Sequence, residues 1–101
     1  MQELQVNKEN CFSVLMAVYK KEQPLFFKEA LRSVFEQSLI PNEVVLVKDG
    51  PLTEELEQII VDFSSKNDQL KVITLEKNQG LGEALRIGLN SCSFDLVARM
   101  D

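Results

Sequence analysis

An alternation constrains this sequence more than any other feature. Four short apolar runs, "FSVLMAVY" (12–19), "EVVLVKD" (43–49), "LKVITLE" (70–76) and "FDLVARM" (94–100), are separated by three stretches of helical periodicity. The first run is almost unbroken in Val, Leu, Met and aromatic residues, the pattern of a strand covered on both faces in a parallel sheet. Behind Pro24, which suits a first helical turn, Phe27, Ala30, Leu31, Val34 and Phe35 recur at helical spacing. "LTEELEQIIVDFSSKN" puts Leu56, Ile59, Ile60 and Phe63 on one face, with Thr53 as the expected N-cap and Glu54 and Glu55 at the positive end of the dipole. "GLGEALRIGLNSC" aligns Leu81, Leu85, Gly88 and Cys92, which predicts a helix packed closely through its glycine. The order β-α-β-α-β-α-β implies right-handed crossovers and an α/β, Rossmann-like parallel sheet of four strands and three crossover helices.

Composition narrows the possible functions. The 101 residues make one domain at most, 45% hydrophobic and 27% charged, as in ordinary globular proteins. A net charge of −5 excludes a broad nucleic-acid face, which needs clustered Lys and Arg. No apolar run reaches the roughly 18 residues of a membrane span, and the opening "MQELQVNKEN" has no apolar signal-peptide core. Residues 1–11 read as a polar extension, and residues 12–101 as the domain. Cys11 and Cys92 match no metal or redox spacing and are expected to be reduced core cysteines of a cytoplasmic protein. Histidine is absent, so no Ser-His or Cys-His pair and no His-ligated metal is available within these residues. The fourth strand has no helix after it, which predicts that the domain is cut there.

In an open parallel sheet, ligands bind outside the carboxyl ends of the strands. Here those ends read Tyr19-Lys20, Lys48-Asp49-Gly50, Lys77-Asn78-Gln79-Gly80 and Met100-Asp101. Each has an ordinary reading: a core-capping Tyr, an Asp turn, a helix start, a chain end and solvated lysines. Together they bring an aromatic ring, two carboxylates, an amide and lysines to one edge. The dinucleotide fingerprint G-x-G-x-x-G fails, because no glycine follows the first strand and Leu85 stands where Gly80-x-Gly82 would need its third. A Walker A loop is missing, and "YKKE" and "LEKN" lack the acidic residues of a phospho-receiver.

"SVLMAVYKKE", "VVLVKDGPL", "EKNQGLGEALRIGL" and "DLVARMD", in this order and spacing, resemble the nucleotide-binding half of family 2 glycosyltransferases with the GT-A fold. The likeness spans about residues 12–101 and is strongest to bacterial members that build surface polysaccharide. It implies that Tyr19 stacks on uracil, that Ala17 touches the same base and that Asp49 accepts the uracil N3–H. It implies that Asn78 and Gly80 border the ribose and phosphates. Asp101 would be the first carboxylate of the D-x-D motif, reaching the ribose and a Mn²⁺ or Mg²⁺ site whose other carboxylate, like the general base, lies beyond residue 101. The implied function is inverting transfer from a nucleotide-diphosphate sugar, a UDP-sugar, to a saccharide acceptor, with the 101 residues alone inactive. The alternative is a non-catalytic nucleotide- or protein-binding module. No nucleic-acid partner is implied, and contact with the inner face of the membrane is expected only through regions outside these residues. Lys48 departs from an acidic family position, and Leu85 from an arginine one, with Arg86 a residue off and facing elsewhere. Strand alternation points Lys48 away from Asp49.

Overall fold

The computed structural model describes residues 11–100. Its elements are β1 (Ser13–Val18), α1 (Pro24–Glu36), β2 (Glu43–Lys48), α2 (Glu54–Lys66), β3 (Leu70–Thr74), α3 (Leu81–Asn90) and β4 (Val97–Met100). The four strands form one parallel sheet in the order β3-β2-β1-β4. The alternation read from the sequence is therefore the architecture. Nearly all of the polar extension, like Asp101, lies outside the described residues.

The order in the sheet fixes where helices go. From β1 the chain steps outward to β2 and then β3, so right-handed crossovers put α1 and α2 on one face. It then returns across the sheet to β4, on the other side of β1, and the same handedness puts α3 on the opposite face. Period-2 alternation supplies both faces with apolar side chains. Val14, Met16 and Val18 of β1 and Val44 and Leu46 of β2 pack with Phe27, Leu31, Val34, Leu56 and Ile60 under α1 and α2. Leu15, Val45 and Val47 face the other way and pack with Ala84 of α3. Val44 through Val47 are fully buried, and burial of each such side chain favours folding by about 1.5–3 kcal/mol.

Two expectations for α3 have different outcomes. The glycine contact is present: a Cβ on Gly88 would lie 2.4 Å from Leu15 Cδ1 and 2.7 Å from Val47 Cγ2. The packed stripe, however, is Ala84 and Gly88, with Leu85 and Cys92 beside it, while Leu81 is 59% exposed. As the first helical residue Leu81 stands at the rim, where the sheet below it has ended. Thr53 caps α2 as expected, its Oγ1 accepting the Leu56 N–H at 3.3 Å. Cys11 and Cys92 form no disulfide and are half-buried, Cys92 packing against the margin of the core beside Ala84. The strands are also shorter than the apolar runs, and β4, which among the described residues pairs only with β1, leaves Ala98 and Arg99 exposed.

Candidate functional site

The direction of the chain reverses at β1, whose neighbours are β2 on one side and β4 on the other. Connections leave a parallel sheet on opposite faces at such a point, and a crevice opens above the carboxyl ends of the strands. A cleft of about 400 Å³ lies there. It is lined by Ala17, Val18 and Tyr19 from β1 and its end, Asp49 from the end of β2, Asn78, Gly80 and Leu81 at the start of α3, Met100 from β4, and Glu22. All five described residues singled out from the sequence, Ala17, Tyr19, Asp49, Asn78 and Gly80, thus share one wall. Asp101 lies outside the described residues, next to Met100.

Asp49 organises this wall. Strand register brings Val18, Lys48 and Thr74 level, so the three chain exits stand side by side. The Asp49 N–H donates to Val18 O at 2.8 Å, extending the β1–β2 ladder one step past the strand. Asp49 is only 5% exposed, and its carboxylate reaches across to the loop before α3. Oδ1 accepts the Gln79 N–H at 2.7 Å and Oδ2 accepts the Gly80 N–H at 3.1 Å, while Asn78 Nδ2 donates to the Asp49 carbonyl at 3.3 Å. Asp49 is therefore more than a local turn residue: it clamps a loop thirty residues away. Gly50 completes the junction. Its φ of +92° favours glycine, and a Cβ there would lie 2.6 Å from Asn78 N. Gly80, with φ +94°, makes the bend from which α3 starts.

Acceptor capacity shows what the Asp49 carboxylate can still do. A carboxylate offers about four lone-pair sites, and two are engaged by loop amides. Among the described residues no other group fills the remaining two, and the side chain lines the cleft. Beside it, Tyr19 is 42% exposed, so its ring is available as a wall. The lining thus combines an aromatic surface, a carboxylate with acceptor capacity and a loop start. That combination suits a planar, hydrogen-bonding ring.

Sequence reasoning did not single out Glu22, Val18, Leu81 or Met100 as site residues. Glu22 sits just past β1, where its N–H donates to Tyr19 O at 3.0 Å and closes the turn. That turn was the only available signal for it. The lysines at the strand ends do not line the cleft. Lys48 points to the α2 face, as alternation requires, and pairs with Glu57 at 2.7 Å. Arg86 is exposed and pairs with Glu83, while Leu85 packs under α3. Among the described residues no group of three His, Cys, Asp or Glu could hold a metal ion. These residues do not by themselves form a metal site.

Comparison with known proteins bears on this arrangement. The family model described as Glycosyl transferase family 2 matches residues 13–101. UDP-Gal:alpha-D-GlcNAc-diphosphoundecaprenol beta-1,3-galactosyltransferase of Escherichia coli is 50% identical over 90 residues, 89% of this chain and 32% of that protein. Amylovoran biosynthesis glycosyltransferase AmsE of Erwinia amylovora is 43% identical over 89% of this chain and 34% of its own length. The chain therefore spans about a third of the length of these curated relatives. Among solved structures, S. aureus TarS superposes with a TM-score of 0.72 at 30% identity, covering 90% of this chain and 16% of TarS. A mannosyltransferase of Pyrobaculum calidifontis, solved with GDP-Man and Mn²⁺, superposes with a TM-score of 0.71 at 23% identity, over 85% of this chain and 25% of that one, a likeness of fold.

Proposed function

The chain belongs to glycosyltransferase family 2, and from that premise we propose that it forms the donor-nucleotide-binding part of an inverting enzyme of surface-polysaccharide synthesis. The donor is a nucleotide-diphosphate sugar, specifically a UDP-sugar, and the acceptor a saccharide. The supporting observation is the half-engaged carboxylate of Asp49 beside the Tyr19 ring in the switch-point cleft. Uracil offers a flat face for the ring and an N3–H for the carboxylate, and a hydrogen bond to a charged acceptor contributes about 1.5–3 kcal/mol. Ala17 touches the same base, and Asn78 and Gly80 border the ribose and phosphates. The E. coli relative is by name a UDP-Gal transferase to a GlcNAc-diphosphoundecaprenol acceptor. That name supports a UDP-sugar here and an acceptor saccharide carried on a lipid diphosphate.

A divalent cation, Mn²⁺ or Mg²⁺, belongs to this reading, with Asp101 as one ligand; when bound it offsets the charge that collects on the leaving diphosphate. The described residues do not complete its ligand set, so their role here is binding and orientation. Asp49 holds the base and the loop, Tyr19 covers the base, and Leu81 and Met100 exclude water from the rim.

Calorimetry with UDP and CDP tests the reading. Cytosine has a lone pair at N3 where uracil has a proton, so the Asp49 carboxylate repels it. UDP is expected to bind at least about tenfold tighter than CDP. Equal affinities, or no binding of UDP, would overturn the proposal.

A further inference from the structure

The turn that follows β1 combines features that the nucleotide cleft does not use. Lys20 and Lys21 are exposed, and immediately after Pro24 come Leu25 at 66% and Phe26 at 63% exposure. Two large apolar side chains in water at the first turn of a helix are unfavourable unless something covers them. Leu39 and Ile40 form another exposed apolar pair, at the far end of α1, but the residues next to them are Gln37, Ser38, Pro41 and Asn42, with no cation. Only the pair beside β1 comes with lysines.

Exposed charge at this tip is mainly positive. Among the described residues Lys20, Lys21 and Lys28 have no carboxylate partner, and the first turn of α1 contains no acidic residue. Of the nearby acids, Glu29 pairs with Arg32, and Glu22 is half-buried where it lines the cleft, so within residues 20–26 two exposed lysines stand against one half-buried carboxylate. The net charge of −5 does not cancel this patch, because charges more than about 8 Å away are screened at physiological salt. Cations flanking exposed Leu and Phe are complementary to a surface that is anionic outside and apolar beneath.

We infer that residues 20–26 form a docking tip for an anionic phospholipid surface, with Leu25 and Phe26 entering the headgroup region and Lys20 and Lys21 on the phosphates. The same turn contributes Tyr19 and Glu22 to the cleft, so docking places the mouth of the cleft at the membrane. The inference deepens the reading above by naming the surface on which a lipid-carried acceptor is met, and rests on that reading only for the acceptor. No helix of the described residues is long and apolar enough to cross a membrane, so this contact is peripheral.

Vesicle co-sedimentation of the intact protein provides the test, comparing phosphatidylcholine vesicles with vesicles in which about a third of the lipid is phosphatidylglycerol. The protein is expected to prefer the anionic vesicles and to release as salt rises. Each lysine near such a surface contributes about fivefold, so Lys20→Glu/Lys21→Glu lowers partitioning at least about 25-fold. Leu25→Ser/Phe26→Ser lowers it at least about tenfold. UDP affinity, measured by calorimetry on the same samples, is expected to be unchanged in both variants. Absence of anionic preference, or partitioning untouched by both double substitutions, would overturn the docking tip, as when another part of the protein or a protein partner covers these residues. Failure of UDP to bind while vesicle binding follows the substitutions would overturn the donor reading and leave the tip supported.

Discussion

Strand β2 carries a carboxylate at each end, and the two are engaged differently. At its amino end Glu43, 8% exposed, has every acceptor site filled. Oε1 accepts from Ser13 Oγ at 2.8 Å and from the Ser93 N–H at 2.7 Å; Oε2 accepts from Ser93 Oγ at 2.9 Å and from Lys71 Nζ at 2.9 Å. Four donors from β1, β3 and the α3–β4 connection converge on one group. At the carboxyl end Asp49 meets two backbone amides of one loop and has two sites left, facing a cleft. Saturation marks Glu43 as structural, joining the strands at the edge remote from the cleft. Partial engagement marks Asp49 as a group that shapes a site and still has capacity for a ligand.

The first way to break this comparison is Glu43→Ala, which leaves Ser13, Ser93 and Lys71 without their common acceptor. Loss of a buried, charged hub costs about 3 kcal/mol. Denaturant unfolding should show that loss, while the folded variant keeps its nucleotide affinity; an affinity change without a stability change would reverse the two roles. Acid sharpens the point. Burial raises the Glu43 pKa, but hydrogen bonds from Lys71, Ser93 and Ser13 outweigh it and hold the group at about 2. A depressed pKa contributes stability that is complete above the unfolded value, near 4.5, and is lost as pH falls toward 2. The amount is on the order of 2–3 kcal/mol, reduced by the half-exposed Lys71. Unfolding followed between pH 5 and pH 2 (about the span of the shift) should therefore flatten in Glu43→Gln relative to the parent.

Smaller effects belong at the cleft. Tyr19→Ala removes a stacking face, and base stacking on an aromatic ring contributes about 1–3 kcal/mol. UDP binding should weaken by that amount with little change in stability, because the ring is already part exposed. Smaller still is Lys48→Met, which breaks a pair whose Glu57 partner is 41% exposed. Stability should fall by less than about 1 kcal/mol and UDP affinity not at all; a large affinity loss would place Lys48 in the site against its orientation.

The two ends were unequally legible in the sequence. Asp49 could be found because topology alone sends strand ends to one edge, and "VKDGP" stands at such an end. Tyr19, Asn78 and Gly80 followed from the same rule, and Ala17 from the family resemblance alone. Glu43 could not be found: its four donors lie 28 to 50 residues away, and nothing local in "PNEVV" distinguishes a hub from a solvated strand start. Similarly, helical spacing put Leu81 on the packed stripe, because periodicity shows a face but not where the sheet beneath it ends. Glu22 was missed since it belongs to a turn and not to a strand end. The clamp from Asp49 to Gln79 and Gly80 was not legible, because no pattern within either segment points to the other.

Asp49→Ala tests the central claim most directly. Calorimetric titration of UDP into the parent and the variant should show a loss of at least about 1.5 kcal/mol, roughly tenfold in affinity, as the base loses its charged acceptor and the loop its clamp. Unchanged UDP affinity in a folded Asp49→Ala protein would contradict the account.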